Sequence, residues 1–201
     1  MNNFRLTTYL TSNINTDKSI IDHLLSHCAT KQCKKGEFLL QQGEKCSHSF
    51  FVERGLLRQF SIDSKGKEHI IQFAPENWFM SERESVYFSQ PSAYFIQALE
   101  DTTVFLIEET LILELAKTNT GFLAFHNKLL HNHIRHLQRR ITQLQSATAE
   151  ERYLYFIKIY PDLTLRVPQI YIASYLGITP ESLSRVRKEL AGKNHNRQFL
   201  P

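Results

Sequence analysis

The feature that most constrains this chain is a change of apolar rhythm near residue 109. Before it, hydrophobic residues fall in short runs: FLL (38–40), SFFVE (49–53), LLRQFSI (56–62), EHIIQF (68–73), YFIQAL (94–99) and TVFLI (103–107). The runs are punctuated by Lys35-Gly36, Gln42-Gly43, Arg54-Gly55 and Lys65-Gly66, where glycine supplies the positive φ that tight turns need. Six or more short strands at this spacing predict a sandwich, barrel or jelly roll rather than a parallel sheet. After residue 109 the period becomes helical, so the chain as a whole reads as α+β.

The helical part is itself patterned. A run from about 120 to 148 carries Asn127, Leu130, Ile134, Leu137, Ile141 and Leu144 at alternating spacings of 3 and 4, with Leu123 one step before. Leu at d-type and Ile at a-type positions make a heptad seam, and one polar Asn at an a position sets register and oligomeric state. Phe122, Phe125 and Leu129 form a second apolar face, expected to pack on the strand-rich half, so the seam is read as a dimer helix. His126, His131, His133 and His136 crowd the same helix. His133 and His136 stand at i, i+3, but no HExxH accompanies them, so they are read as a solvated face without metal. A further helix is expected over AEERYLYFIKIYP (149–161), two shorter ones from Pro168 and Pro180, and an early one over 17–29 with Ile20, Ile21, Leu24, Leu25 and Cys28 on one face.

With 42% hydrophobic residues in 201, the chain can bury a core, and it has no 18-residue apolar stretch, which excludes a membrane-spanning helix. The N-terminal residues lack an apolar signal core, so a cytoplasmic protein is expected. Cys28, Cys33 and Cys46 are odd in number and lack CxxC spacing, so they are read as free thiols. The net charge of +4 is unevenly placed. Residues 1–110 hold 11 basic and 14 acidic side chains, while residues 111–201 hold 13 and 6. A basic second half points to a polyanionic partner.

The stretch QIYIASYLGITPESLSRVRKEL (169–190) is the most specific motif. A helix-turn-helix needs a small residue where its helices cross and a glycine in its turn; Ala173 is fifth and Gly177 ninth from Gln169. Ile172, Leu176, Ile178, Leu183 and Val186 take the buried positions. Thr179, Pro180, Glu181, Ser184, Arg185 and Lys188 are expected on the open face, with Thr179 the N-cap. Arg185 suits guanine O6 and N7, and Glu181, four residues earlier, suits cytosine N4. Gln169, Thr179, Ser182, Ser184, Arg187 and Lys188 are candidate phosphate contacts. A helical hairpin without a DNA role is the plainer alternative.

Together these segments resemble the Crp/Fnr family of bacterial transcription regulators. KKGEFLLQQGE (34–44), FFVERGLLRQF (50–60), KEHIIQF (67–73) and ALEDTTVFLI (98–107) are similar to its cyclic-nucleotide-binding-like jelly roll, and GITPESLSRVRKEL (177–190) to its recognition helix. The resemblance implies a sensor over 1–119, a dimerisation helix over 120–148 and a DNA-binding domain over 149–201. It also implies double-stranded DNA, a second copy of the chain and RNA polymerase as partners, and Glu181 and Arg185 as base readers. Pro180 stands where an Arg is common in the family. Cyclic-AMP-binding members carry Gly-Glu and then Arg-Ser/Thr-Ala, the Arg holding the cyclic phosphate. Here Ser81-Glu82 and Pro91-Ser92-Ala93 occupy those places, so cyclic AMP is expected to bind weakly or not at all and no cofactor is assigned.

Trp78, Phe79, Tyr87, Phe88, Tyr94 and Phe95 could line an effector pocket, with Glu82, Arg83 and Glu84 orienting its occupant, or simply fill the core. After the recognition helix, AGKNHNRQFLP (191–201) reads as a short basic tail in place of a full wing. Two alternatives stand beside this: a small-molecule-binding protein whose C-terminal helices make protein contacts, and a cupin-like enzyme. The enzyme needs clustered histidines on adjacent strands, whereas His48 and His69 stand alone, so no enzyme activity is expected.

Overall fold

The computed structural model describes residues 4–197, with side chains through residue 193. Its helices are α1 (Arg5–Asn13), α2 (Lys18–Ser26), α3 (Arg83–Phe88), α4 (Glu109–Thr118), α5 (Thr120–Ser146), α6 (Ala149–Ile159), α7 (Leu163–Arg166), α8 (Gln169–Leu176) and α9 (Pro180–Arg197). Its strands are β1 (Ala29–Cys33), β2 (Phe38–Leu40), β3 (His48–Arg54), β4 (Leu57–Ile62), β5 (Glu68–Ala74), β6 (Phe79–Met80), β7 (Phe95–Ala98) and β8 (Thr102–Glu108). The chain divides into two compact units. The first comprises Met1–Lys67 and Ile71–His133, and the second Glu68–Ile70 and Ile134–Pro201.

In the first unit the strands form two four-stranded sheets, ordered β1-β8-β3-β6 and β2-β7-β4-β5. The antiparallel register sets Phe51 opposite Phe105 across β3 and β8, and Phe60 opposite Phe95 across β4 and β7. This is the expected jelly roll. β3 is buried over Ser49–Val52 with no in/out alternation, because both its faces are covered. One face, with Phe50 and Val52, joins Leu40, Leu57, Ile96, Ala98 and Val104 in one core cluster. The other, with Phe51, joins Phe105 and Ile107 beneath Leu6 and Leu10 of α1, Ile21 and Leu24 of α2, and Phe122 and Phe125 of α5. The second apolar face of the long helix therefore packs where its sequence predicts.

Five elements lie outside the sequence expectations: α1, β1, β6, α3 and α7. The early helix ends at Ser26, and Cys28 falls in the turn before β1. Its thiol, half-buried, donates to Leu24 O, and burial pushes its pKa up to about 11. Cys33 and Cys46 are buried, and all three are free.

The solvated histidine face needs correction. His131 is exposed, but His126 is buried and His133 and His136 are half-buried. The reason is that α5 buries one side, where Phe122 and Phe125 lie, and that side takes His126 with it. Among the described residues no group of three or more His, Cys, Asp or Glu could hold a metal ion. No helix among them is long and apolar enough to cross a membrane.

In the second unit, α6 opens with a capping box: Glu151 N–H donates to Thr148 Oγ1, and Thr148 N–H to the Glu151 carboxylate. The recognition segment is longer than expected. Residues 191–197 continue α9 as helix instead of leaving it as a tail, and Lys193 Nζ pairs with Glu150 on α6 at 2.7 Å. His195 and Arg197, expected in that tail, have side chains outside the described residues.

Candidate nucleic-acid interface

The helix-turn-helix forms because four local signals agree. Ala173, 1% exposed, lets α8 and α9 approach. Gly177 ends α8 in the left-handed region at φ 67°, and Ile178 N–H reaches back to Ala173 O at 3.0 Å, satisfying a carbonyl the helix end would orphan. Thr179 Oγ1 then accepts Ser182 N–H at 3.2 Å as the N-cap of α9, with Pro180 at the first helical position. Leu183 and Val186 are buried with Ile172 and Leu176, while Ile178 is half-buried. Arg140 of α5 fixes the pair from below. Its guanidinium lies 4.0 Å from the Tyr175 ring centroid and donates to Tyr175 O at 3.1 Å. Sequence reasoning missed this contact, because nothing local marks Arg140 among its basic neighbours.

Glu181, Ser184, Arg185 and Lys188 are all exposed, and their i, i+3, i+4, i+7 spacing puts them on one face of α9. Thr179 and Gln169 are exposed as well, and Ser182 is half-buried. Arg187 stands apart: two residues beyond Arg185, it is about 200° round the helix and half-buried. Thr179 Oγ1 donates to Ser182 Oγ at 3.2 Å, and Ser182 Oγ accepts from Arg185 Nη2 at 3.4 Å. The Glu181 carboxyl is held below the usual carboxylate range by its own backbone N–H, then by the Thr179 hydroxyl and the Arg185 charge. The open face thus presents an ionised acceptor and a guanidinium fork one turn apart, the pair of groups that major-groove edges of C and G can meet.

The candidate effector residues have internal roles. Glu82 is buried and spends its carboxylate capping α3, accepting from Glu84 N–H and Ser85 N–H. Arg83 turns to Glu109, with Nη1 3.6 Å from Oε1. Trp78 packs half-buried against the core cluster that holds Phe50 and Val52. Ser92 Oγ, where the family's cyclic-AMP motif would follow an Arg, accepts Tyr94 N–H and donates to Tyr94 O. The aromatic side chains disperse: Phe79 packs on Tyr9 and Phe51, Phe95 stacks on Phe60, and Phe88 is 71% exposed.

Residues 30–119 match the model of the cyclic nucleotide-binding domain. The chain is 30% identical over 166 residues to the transcriptional activator protein anr of Pseudomonas aeruginosa, covering 76% of this chain and 66% of that protein. It has the same identity and coverage with the transcriptional activator protein FnrA of Stutzerimonas stutzeri, so it spans about two thirds of the length of these relatives. Its fold is similar to that of FixK2 from Bradyrhizobium japonicum, with a TM-score of 0.72, 20% identity, and 83% of this chain and 86% of that chain covered. A jelly roll, a long seam-bearing helix and a helix-turn-helix, on a chain with these relatives, place the protein in the Crp/Fnr family of transcription regulators.

Proposed function

We propose that this chain binds DNA sequence-specifically as a homodimer and regulates transcription in the cytoplasm, responding to an effector other than cyclic AMP or to none. The observation that carries the reading is the open face of α9. Glu181 and Arg185 read bases, while Gln169, Thr179, Ser182, Ser184 and Lys188 hold phosphates. In the dimer, residues 120–148 pair through Asn127, Leu130, Ile134, Leu137, Ile141 and Leu144. Ile134, Ile141 and Leu144 are 49%, 56% and 43% exposed in the single chain, an apolar stripe that a second copy would cover. Two-fold symmetry then sets half-sites about 34 Å apart. The activator names of the relatives extend the reading to contact with RNA polymerase at the promoter.

The capping role of Glu82 and the missing Arg beside Ser92 leave a cyclic phosphate and ribose without their family partners. That supports the exclusion of cyclic AMP. The test of DNA reading is selection of a binding site followed by mobility shifts with Arg185→Ala. The variant is expected to lose on the order of 1–3 kcal/mol at one base pair and to relax preference there. An unchanged site preference would remove Arg185 from base reading.

A further inference from the structure

Where α3, α4 and α5 meet β3, the first unit buries an ionic cluster that DNA reading does not use. Glu109, the first residue of α4, is 4% exposed. Ser49 Oγ of β3 donates to its Oε1, and Arg83 Nη1 of α3 lies 3.6 Å from the same oxygen. The Arg83 guanidinium also lies 5.8 Å from the ring centroid of Tyr87. His126 of α5 is buried against this group, and His133, seven residues further on, is half-buried on the same side of the helix. Glu109 Oε2 and His126 Nε2 are buried and make no hydrogen bond among the described residues. The titratable and charged groups around His126 are therefore Arg83 and Tyr87 from α3, Glu109 from α4 and His133 from α5. Cys46, just before β3, also feels the Glu109 charge.

We propose that His126, seconded by His133, is an acid-responsive element of the first unit: its protonation brings a second positive charge up to Arg83 in a buried site where the Glu109 carboxylate is already paired and the neighbouring Glu82 carboxylate is spent capping α3, and the contact of α5 with α3 and α4 opens. Burial, and then the Arg83 charge, hold both imidazoles below the ordinary histidine value, with Glu109 offsetting part of this at His126. Both rings are neutral in the folded chain at neutral pH. As pH falls below about 6.5, the unfolded chain takes up protons that the folded chain resists. Stability that is complete above that value is lost as pH falls through the depressed values of the folded state. The affected stretch of α5 belongs to the same helix as the seam, so acid would weaken self-association as well. The proposal does not depend on DNA reading, because its readout lies in the first unit.

The experiment is amide hydrogen exchange on the full chain, corrected for intrinsic rates, at about pH 7.5 and about pH 5.5. Protection over Arg83–Phe88 and over residues 122–133 is expected to fall roughly tenfold in the wild type. H126Q/H133Q should hold its protection level across the range, and H131Q, altered on the exposed side, should respond as the wild type does. R83Q, which removes the opposing charge, should move the onset to higher pH. Equal loss in H126Q/H133Q and wild type, or no loss in the wild type, would overturn the proposal. If the double variant does not fold, imidazole resonances followed in the wild type decide the matter. Midpoints below about 6.5 that coincide with loss of α5 protection support it, and midpoints at or above that value refute it.

Discussion

At Gly177 the backbone adopts φ 67°, and a Cβ there would meet Leu144 Cδ2 at 3.1 Å. Both facts weigh on the same substitution. Gly177→Ala must hold an L residue in the left-handed region, at about 1–2 kcal/mol, and must also move a leucine of the seam helix. Urea unfolding is the check: the midpoint should drop while the slope stays constant, and an unchanged midpoint would show that the turn relaxes. This residue was legible in the sequence because its demand is local, a tight turn nine residues into a recognisable motif. Glu109, Arg83 and His126 were not. Their partnership joins positions 26 and 17 residues apart along the chain, on three different helices, and no spacing rule brings them together. The neighbouring Glu82 reads from sequence as a ligand-orienting group, but its carboxylate satisfies two backbone N–H groups at the start of α3.

At the scale of elements, α1 repeats the lesson. Arg5–Asn13 is rich in threonine and fully buries only Leu6 and Leu10, with Tyr9 packed half-buried beside them, a weak helical signal. Its N-terminus is satisfied from far away: the Glu53 carboxylate, on β3, accepts from Arg5 N–H at 2.6 Å and Leu6 N–H at 3.0 Å. An anion at this place answers both orphan donors and the helix dipole. Glu53→Gln is expected to destabilise the protein by about 1–2 kcal/mol and to raise amide exchange in α1 first. Exchange in α1 equal to that of the wild type would show that Glu53 contributes nothing to the helix. By contrast, α6 falls within the expected 149–161, and the structure shows its start to be local: Thr148 and Glu151, three residues apart, cap it reciprocally. The strands with strong apolar runs were likewise found, while β6, two residues long, exists only because Met80 and Phe79 pair with Phe50 and Phe51.

For the whole molecule, the question is assembly. α5 buries Phe122 and Phe125 within the first unit and leaves Ile134 and Ile141 about half exposed, although the heptad spacing continues through them. A second copy of the chain would cover the face that the first unit leaves open. Sedimentation at micromolar concentration is expected to give a dimer, and Ile134→Glu with Ile141→Glu a folded monomer. A dimer that survives both changes would move the interface elsewhere. The same variant should lose affinity for a two-fold DNA site far more than for a single half-site, since linked half-sites multiply binding only when both copies engage.

Pro180 carries a consequence of its own. Its ring fixes the first φ of α9 and bars helical backbone at the residue before it, and the Thr179 hydroxyl caps from the same side. A helix that began one residue earlier or later would swing its side chains by about 100° relative to whatever it faced. Here the start is indexed, as a gear is keyed to its shaft. With the start fixed, the helical period buries Leu183 and Val186 and leaves Glu181 and Arg185 exposed one turn apart. Where the family commonly offers an arginine, this chain offers a setting of the dial.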